Sequence, residues 1–174
     1  MTRILGLVFF LFLMSCGPKV YVDYDAKVNF QKYRTYQFYP QHNIAAGHLN
    51  ELDQERLIKA VEDVLAQQGY AKSSNPDFKI LLETDLFQER NNSQIGIGFG
   101  GGGGHVGGGV SGGIPISTTK TILSLSLNFS EAQTNELFWQ AVVEDQYKRQ
   151  MNPKEKQVFF NRLISKGVKE FPPK

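Results

Sequence analysis

The pattern of apolar and polar positions is most regular late in the chain. From Thr121 to Phe129, Leu123, Leu125, Leu127 and Phe129 alternate with Ser124, Ser126 and Asn128. A period of two places one face of a strand against a core and leaves the other to water. Leu137 to Tyr147 repeats it through Leu137, Trp139, Ala141 and Val143, and the polar link Ser130 to Glu136 is short enough for an antiparallel hairpin. Phe78 to Gln88 carries Phe78, Ile80, Leu81, Leu82, Leu86 and Phe87, apolar on both faces, which suits a covered place in a sheet. Upstream, YRTYQFY over Tyr33 to Tyr39 is rich in aromatic and β-branched types and predicts a strand ended by Pro40. Val20-Tyr21-Val22 can begin another.

Two stretches follow the helical period. Over Leu49 to Gln68, the residues Leu57, Ile58, Val61, Val64 and Leu65 form one apolar stripe. Asn50 or Asp53 can cap its start and Gly69 suits the position just past its end. Glu55, Lys59 and Asp63 stand four apart and form a solvated outer face. The last helix opens on Asn152-Pro153-Lys154-Glu155, a cap, a proline at the first position and an acid able to reach back. Phe159, Phe160, Leu163, Ile164, Val168 and Phe171 make its inner face, and Pro172-Pro173 stop it. The order β-α-β-β-β-α predicts an α+β fold: one mostly antiparallel sheet of about four strands, with both helices on one face.

Between the second and third strands the pattern lapses. Residues 96–113 contain 12 glycines in 18 positions. Such a stretch buries too little apolar surface to offset its ordering entropy, so it is expected to be a flexible loop between two strands.

The N-terminus has its own logic. Arg3 precedes eleven residues, Ile4 to Met14, that are apolar apart from Gly6. A membrane-spanning helix needs about 20 such residues, so this is the core of a signal peptide. It ends in Leu13-Met14-Ser15-Cys16, which resembles the bacterial lipobox. The expectation is cleavage between Ser15 and Cys16, diacylglycerol on the Cys16 sulfur and an acylated new N-terminus. One acyl chain holds only marginally, whereas two or three make a stable anchor. The chain then divides into a signal peptide (1–15), a lipidated cysteine with a short tether (16–19) and a single domain (20–174). Gly17, rather than Asp, follows the cysteine, which under the common Gram-negative sorting rule directs the protein to the outer membrane.

Charge and cysteine count narrow the classes. The chain has 174 residues, and loss of residues 1–15 leaves 18 basic against 17 acidic side chains. A near-neutral domain with scattered lysines has no electrostatic case for nucleic acid. The single cysteine excludes an internal disulfide and a cysteine metal cluster.

Asp23-Tyr24-Asp25, followed by Phe30, Tyr33, Thr35 and Tyr36, resembles the opening of domain-of-unknown-function family 4136. Asn75-Pro76-Asp77 before a strand, the glycine-rich middle, Leu137 with Trp139, and the ending Phe171-Pro172-Pro173 are similar to that family too. The resemblance covers nearly the whole mature chain and implies a bacterial lipoprotein with no established activity. One position departs from the pattern: an acid is expected after the Thr121 strand, and Asn128-Phe129-Ser130 stands there.

Candidate chemistry is sparse. Gly96-Ile97-Gly98-Phe99-Gly100-Gly101 formally matches a dinucleotide fingerprint, but more glycine follows where a helix N-terminus is needed. His42 and His48 share a loop near Glu51 and Asp53 without metal-ligand spacing, and His105 lies within the glycines. Asp23 with Asp25, and Glu144 with Asp145, read as turn and strand-end residues. No serine sits in a nucleophile elbow. No catalytic residue, cofactor or metal site is therefore expected. The sequence points to a lipid-anchored envelope protein that binds a partner or supports envelope structure. A small envelope hydrolase with an unlocated site, or a carrier of a small apolar ligand, is the alternative.

Overall fold

The computed structural model describes residues 17–39, 49–97 and 112–173, with 91–97 and 112–117 described by backbone alone. Its strands are β1 (Lys19–Tyr24), β2 (Thr35–Phe38), β3 (Ala71–Lys72), β4 (Phe78–Ile97), β5 (Gly112–Glu131) and β6 (Leu137–Gln146). Its helices are α1 (Glu51–Gln67) and α2 (Pro153–Gly167). The strands make one mixed sheet in the order β1-β6-β5-β4-β2-β3.

The sheet has six strands where the sequence suggested about four. Val20-Tyr21-Val22 does belong to a strand, and Ala71-Lys72 is too short to show a period. β2 runs parallel to both β3 and β4. α1 lies between β2 and its parallel neighbours in the chain, and a crossover of that kind returns the chain in the same direction. The other pairings are antiparallel.

Alternation sets the core. Ile80, Leu82, Leu125, Leu127, Phe129, Ala141 and Val143 share one face, buried with Leu57, Val61 and Leu65 of α1 and Phe160, Leu163 and Ile164 of α2. Both helix starts are capped as expected. Asn50 Oδ1 accepts from the Asp53 N–H at 2.9 Å. Asn152 Oδ1 accepts from the N–H groups of Lys154 and Glu155, while Glu155 Oε2 accepts from the Asn152 N–H. Gly69, at φ +88°, follows the α1 cap in the left-handed region. α2 ends at Gly167, before the two prolines. Val168 and Phe171 continue its apolar surface from the tail beyond it, both buried.

Two local departures matter. The register slips by one residue between Phe129 and Ser130, so Phe129 faces Trp139 while Ser130 faces Leu137. Leu137 is left exposed rather than on the core face. The extra residue, Phe138, is buried and stacks on Tyr33 at 4.3 Å between ring centroids. A bulge re-aims a side chain in this way. The second departure is length. β4 and β5 pair without interruption to Ile97↔Gly112, so Gly96, Gly112 and Gly113 of the expected loop belong to strands. The rest of that tract lies outside the described residues.

α2 approaches the sheet closely at Gly167. A Cβ there would stand 2.8 Å from Val143 Cγ2 and 3.1 Å from Leu127 Cδ1. Both neighbours are fully buried. Gly167→Val is expected to destabilise the domain by about 2–3 kcal/mol through overpacking. A denaturant melt checks this, and an unchanged midpoint would mean that helix and sheet are not in such close contact.

Candidate functional site

The one fully buried charge among the described residues is Asp53, in the first turn of α1 and 1% exposed. Its Oδ1 accepts from Arg56 Nη1 at 2.6 Å. Its Oδ2 accepts from Lys156 Nζ at 2.6 Å and from the Tyr147 hydroxyl at 2.8 Å. One carboxylate thus joins the first turns of both helices to the end of β6. Burial opposes its ionisation, but the hydrogen bonds from Lys156, Tyr147 and Arg56 outweigh that, and its pKa lies below the ordinary value. Lys156 is held above its ordinary value: burial works against the cation, and the Asp53 carboxylate wins. Burial, reinforced by Asp53, raises the Tyr147 phenol. Perturbed groups mark catalytic sites when they have work left to do. Here both carboxylate oxygens are already taken by donors, so the cluster is a clamp.

Asp77 serves a similar purpose at the other end of the molecule. Its Oδ2 accepts from the N–H groups of Arg34 and Thr35 at 2.9 and 2.8 Å and from the Thr35 hydroxyl at 2.9 Å. In return Thr35 Oγ1 accepts from the Asp77 N–H. The turn before β4 is thereby tied to the start of β2. Despite some burial, these bonds hold the Asp77 carboxyl below its usual range.

An open cleft of ≈ 400 Å³ beside Tyr33 and Phe138 holds the third polar group. The Tyr33 hydroxyl donates to Glu131, whose carboxylate also accepts from Lys32 Nζ at 3.1 Å. Burial and then Glu131 push the Tyr33 phenol well above its ordinary value. It therefore stays protonated near neutrality and supplies no base.

The open face of the sheet carries a polar rung. Asn128 Nδ2 donates to Glu83 Oε2 at 2.9 Å, and Gln140 Nε2 donates to Asn128 Oδ1 at 2.6 Å. Asn128, in the Asn128-Phe129-Ser130 stretch that departs from the family pattern, thus links three strands.

Of the residues singled out by sequence, Ser15, Cys16, His42, His48 and His105 lie outside the described residues. Asp53 is described, and its carboxylate is bound by cations on both helices, a role that resembles neither a cap nor a metal ligand. No group of three or more His, Cys, Asp or Glu that could hold a metal is found among the described residues. Asp25 accepts from the Lys27 N–H, as a turn residue does, whereas Asp23 lies within β1 and accepts from the N–H of its neighbour Tyr24. Asp145 pairs with Arg162 at 2.6 Å. Trp139 is core, packed between Phe129 and Phe171, and its indole N–H has no partner among the described residues. Sequence reasoning missed the Asp53 clamp because its members stand some ninety to a hundred positions apart, at 53, 147 and 156. The one local signal was an acid three residues after a cap.

Gly17 marks where the tether meets the fold. It lines a small hollow of ≈ 140 Å³ with Lys19, Glu89 and Lys120. Lys19 pairs with Glu89 across that hollow at 3.5 Å.

A family model described as a domain of unknown function, DUF4136, matches residues 20–173. The chain belongs to that family. Among curated proteins, none matches. A DUF4136 protein from Bacteroides thetaiotaomicron is similar in fold, at 12% identity and a TM-score of 0.50, over 90% of this chain and 96% of that one. PelC from Paraburkholderia phytofirmans, solved as a dodecamer, is similar at 8% identity and a TM-score of 0.51, over 87% and 94%. A PDZ domain protein from Parabacteroides distasonis aligns at 11% identity and a TM-score of 0.49, over 99% of this chain. The chain spans about two-fifths of that protein's length, 40%. For the first two, at these identities, the likeness is one of fold.

The clamp makes a prediction about acid stability. Asp53→Asn leaves two cations facing a neutral amide and should cost about 3 kcal/mol near neutral pH, a fall in Tm of roughly 6–12 °C. A carboxyl with a depressed folded pKa stabilises above its unfolded value near 4 and loses that contribution as the pH falls through the folded one. The gap between wild type and variant should stay constant from pH 5 to 8 and narrow below pH 4. Chemical denaturation across that range checks it; a gap independent of pH would remove the carboxylate from the account.

Proposed function

We propose that this DUF4136 protein is a bacterial envelope lipoprotein, held to the outer membrane by acyl chains on Cys16, that binds a partner or supports the envelope without catalysing a reaction. The observation that carries the reading is the position of the only cysteine in the chain. It ends an apolar leader too short to span a bilayer, and Gly17-Pro18 leads from it directly into β1 at an edge of the sheet. A lipid on Cys16 would hang the domain from the membrane by two residues. The state of two acids, the buried Asp53 and the half-buried Asp77, supports a non-catalytic role. Asp53 and Asp77 are each occupied in joining elements of the fold. A hydrolase would need one such group free beside a cleft, and a carrier would need an apolar internal cavity.

Intact mass of the protein purified from its host tests the anchor. The expected value is that of residues 16–174 plus diacylglycerol and an amide-linked acyl chain; an unmodified Cys16 overturns the reading. Cys16→Ser is expected to shift the protein out of the membrane fraction. Separation of inner and outer membranes on a density gradient tests the role of Gly17, and recovery with the inner membrane would refute the sorting.

A further inference from the structure

Beyond the body of the sheet, β4 and β5 continue as a pair. The last row of β5 shared with β6 is Ile122↔Gln146, and β2 leaves β4 at Ile80. From Gln88↔Thr121 to Ile97↔Gly112 the two strands therefore form a ribbon with no third strand registered against it among the described residues. At about 3.4 Å per residue, Ile97 lies roughly 27 Å beyond Glu89.

The tether enters at the root of this arm. Lys19 pairs with Glu144 in register and with Glu89 through its side chain. β1 then runs away from the arm, to Tyr24↔Trp139. Gly17 lines the hollow formed with Glu89 and Lys120, and Cys16 can lie only about 3.8 Å from it, Cα to Cα. An acylated Cys16 sits at headgroup level, so strands that run on past it meet the bilayer.

The arm's sequence changes at the same level. Lys19, Glu89, Arg90 and Lys120 are charged and mark the root, and Lys148 and Arg149 follow on the same end of the sheet, where the Tyr147 N–H bonds to the Thr121 carbonyl. Between Arg90 and Lys120 there is no Asp, Glu, Lys or Arg, in a chain that is 21% charged. The register pairs Ile95 with Ile114 and Ser93 with Ile116. Alternation places positions 93, 95, 97, 112, 114 and 116 on one face of the ribbon and 92, 94, 96, 113, 115 and 117 on the other. The first set contains Ile95, Ile97, Ile114 and Ile116; the second is Asn92, Gln94, Gly96, Gly113, Pro115 and Ser117.

From this we infer that the distal ribbon, positions 93–97 with 112–116, is a second membrane-contact element, laid in the headgroup layer of the bilayer that holds the anchor, its isoleucine face against the acyl region. The inference rests on the lipoprotein reading. A two-stranded ribbon has unpaired backbone along both edges and does not cross hydrocarbon alone. Interfacial depth lets the edges keep water or headgroup partners while one face leaves water, as an amphipathic helix does. Single lysines near an anionic surface strengthen such contacts, which suits Lys120 and Arg90 at the root.

The test uses the full-length protein, processed in its host and reconstituted in vesicles of phosphatidylethanolamine and phosphatidylglycerol that contain a lipid-borne spin-label quencher. A lipidated Cys16 leaves a new cysteine as the only free thiol. A polarity-sensitive fluorophore is placed at Ile95→Cys or Ile97→Cys, and for comparison at Gln133→Cys in the exposed turn at the opposite end of the sheet. The expected result is a blue-shifted emission at 95 and 97 and quenching at least fivefold stronger than at 133. Equal quenching at the two ends overturns the proposal. So does fluorophore–fluorophore transfer between arms without lipid quenching, which would make a second copy of the chain the occupant. Intact mass reports the anchor separately. If Cys16 proves unmodified, the Cys16→Ser, Ile95→Cys protein added to the same vesicles reads the arm alone: quenching there upholds the contact and its absence overturns it.

Discussion

Much of this fold hangs on the burial of one ring. Phe78, the first residue of β4, is fully buried and lies within 5.2–6.0 Å, centroid to centroid, of Tyr33, Tyr36, Tyr70, Phe129, Phe138 and Phe171. Those residues come from β2 and its approach, the turn after α1, β5, β6 and the C-terminal tail. Aromatic rings bury large areas and prefer tilted or edge-on contacts of this kind. The cluster explains why β2 joins β4 in parallel, why the bulge at Phe129 is tolerated, and why the tail folds back: each places one more ring against Phe78.

Polar groups close the structure around that core. Asp77 ties the turn before Phe78 to the start of β2, which sets the three-residue register of the parallel pair. Asp53 performs the equivalent task at the opposite end, where the helix starts meet β6. A buried charge without partners would be costly, and a fully paired one gives position more than net stability. The two acids therefore act as locators. Their carboxylates are already held by donors from neighbouring elements.

The ends of the sheet are consequently unlike. One end holds the aromatic cluster, the Tyr33–Glu131 cleft and the tail. The other holds the tether, the Asp53 clamp and the root of the β4–β5 arm. A protein suspended from a membrane by its N-terminus would have these ends at different distances from the lipid, and the hairpin's extra length lies wholly on the tether's side.

Much of this was legible in the chain. Binary patterning located β4, β5, β6 and both helices, because a half-buried strand or helix must repeat with its own period. Asn152 to Glu155 announced a capping box, since a cap is local chemistry. Family resemblance could be read from short motifs whose order is a property of the sequence. What depends on distant partners could not be read. β3 is a strand only because β2 lies beside it. Leu137 left the core because the register slips one residue earlier, and Phe138 took the buried place against Tyr33. Gly96, Gly112 and Gly113 have low strand preference, and only their pairing across the hairpin made them strand. Asp53 looked like a helix-start acid until folding brought Tyr147 and Lys156 to it. Local periodicity determined the elements; pairing between residues far apart in the chain decided the register, the clamp and the arm, because those energies exist only once the chain has closed on itself.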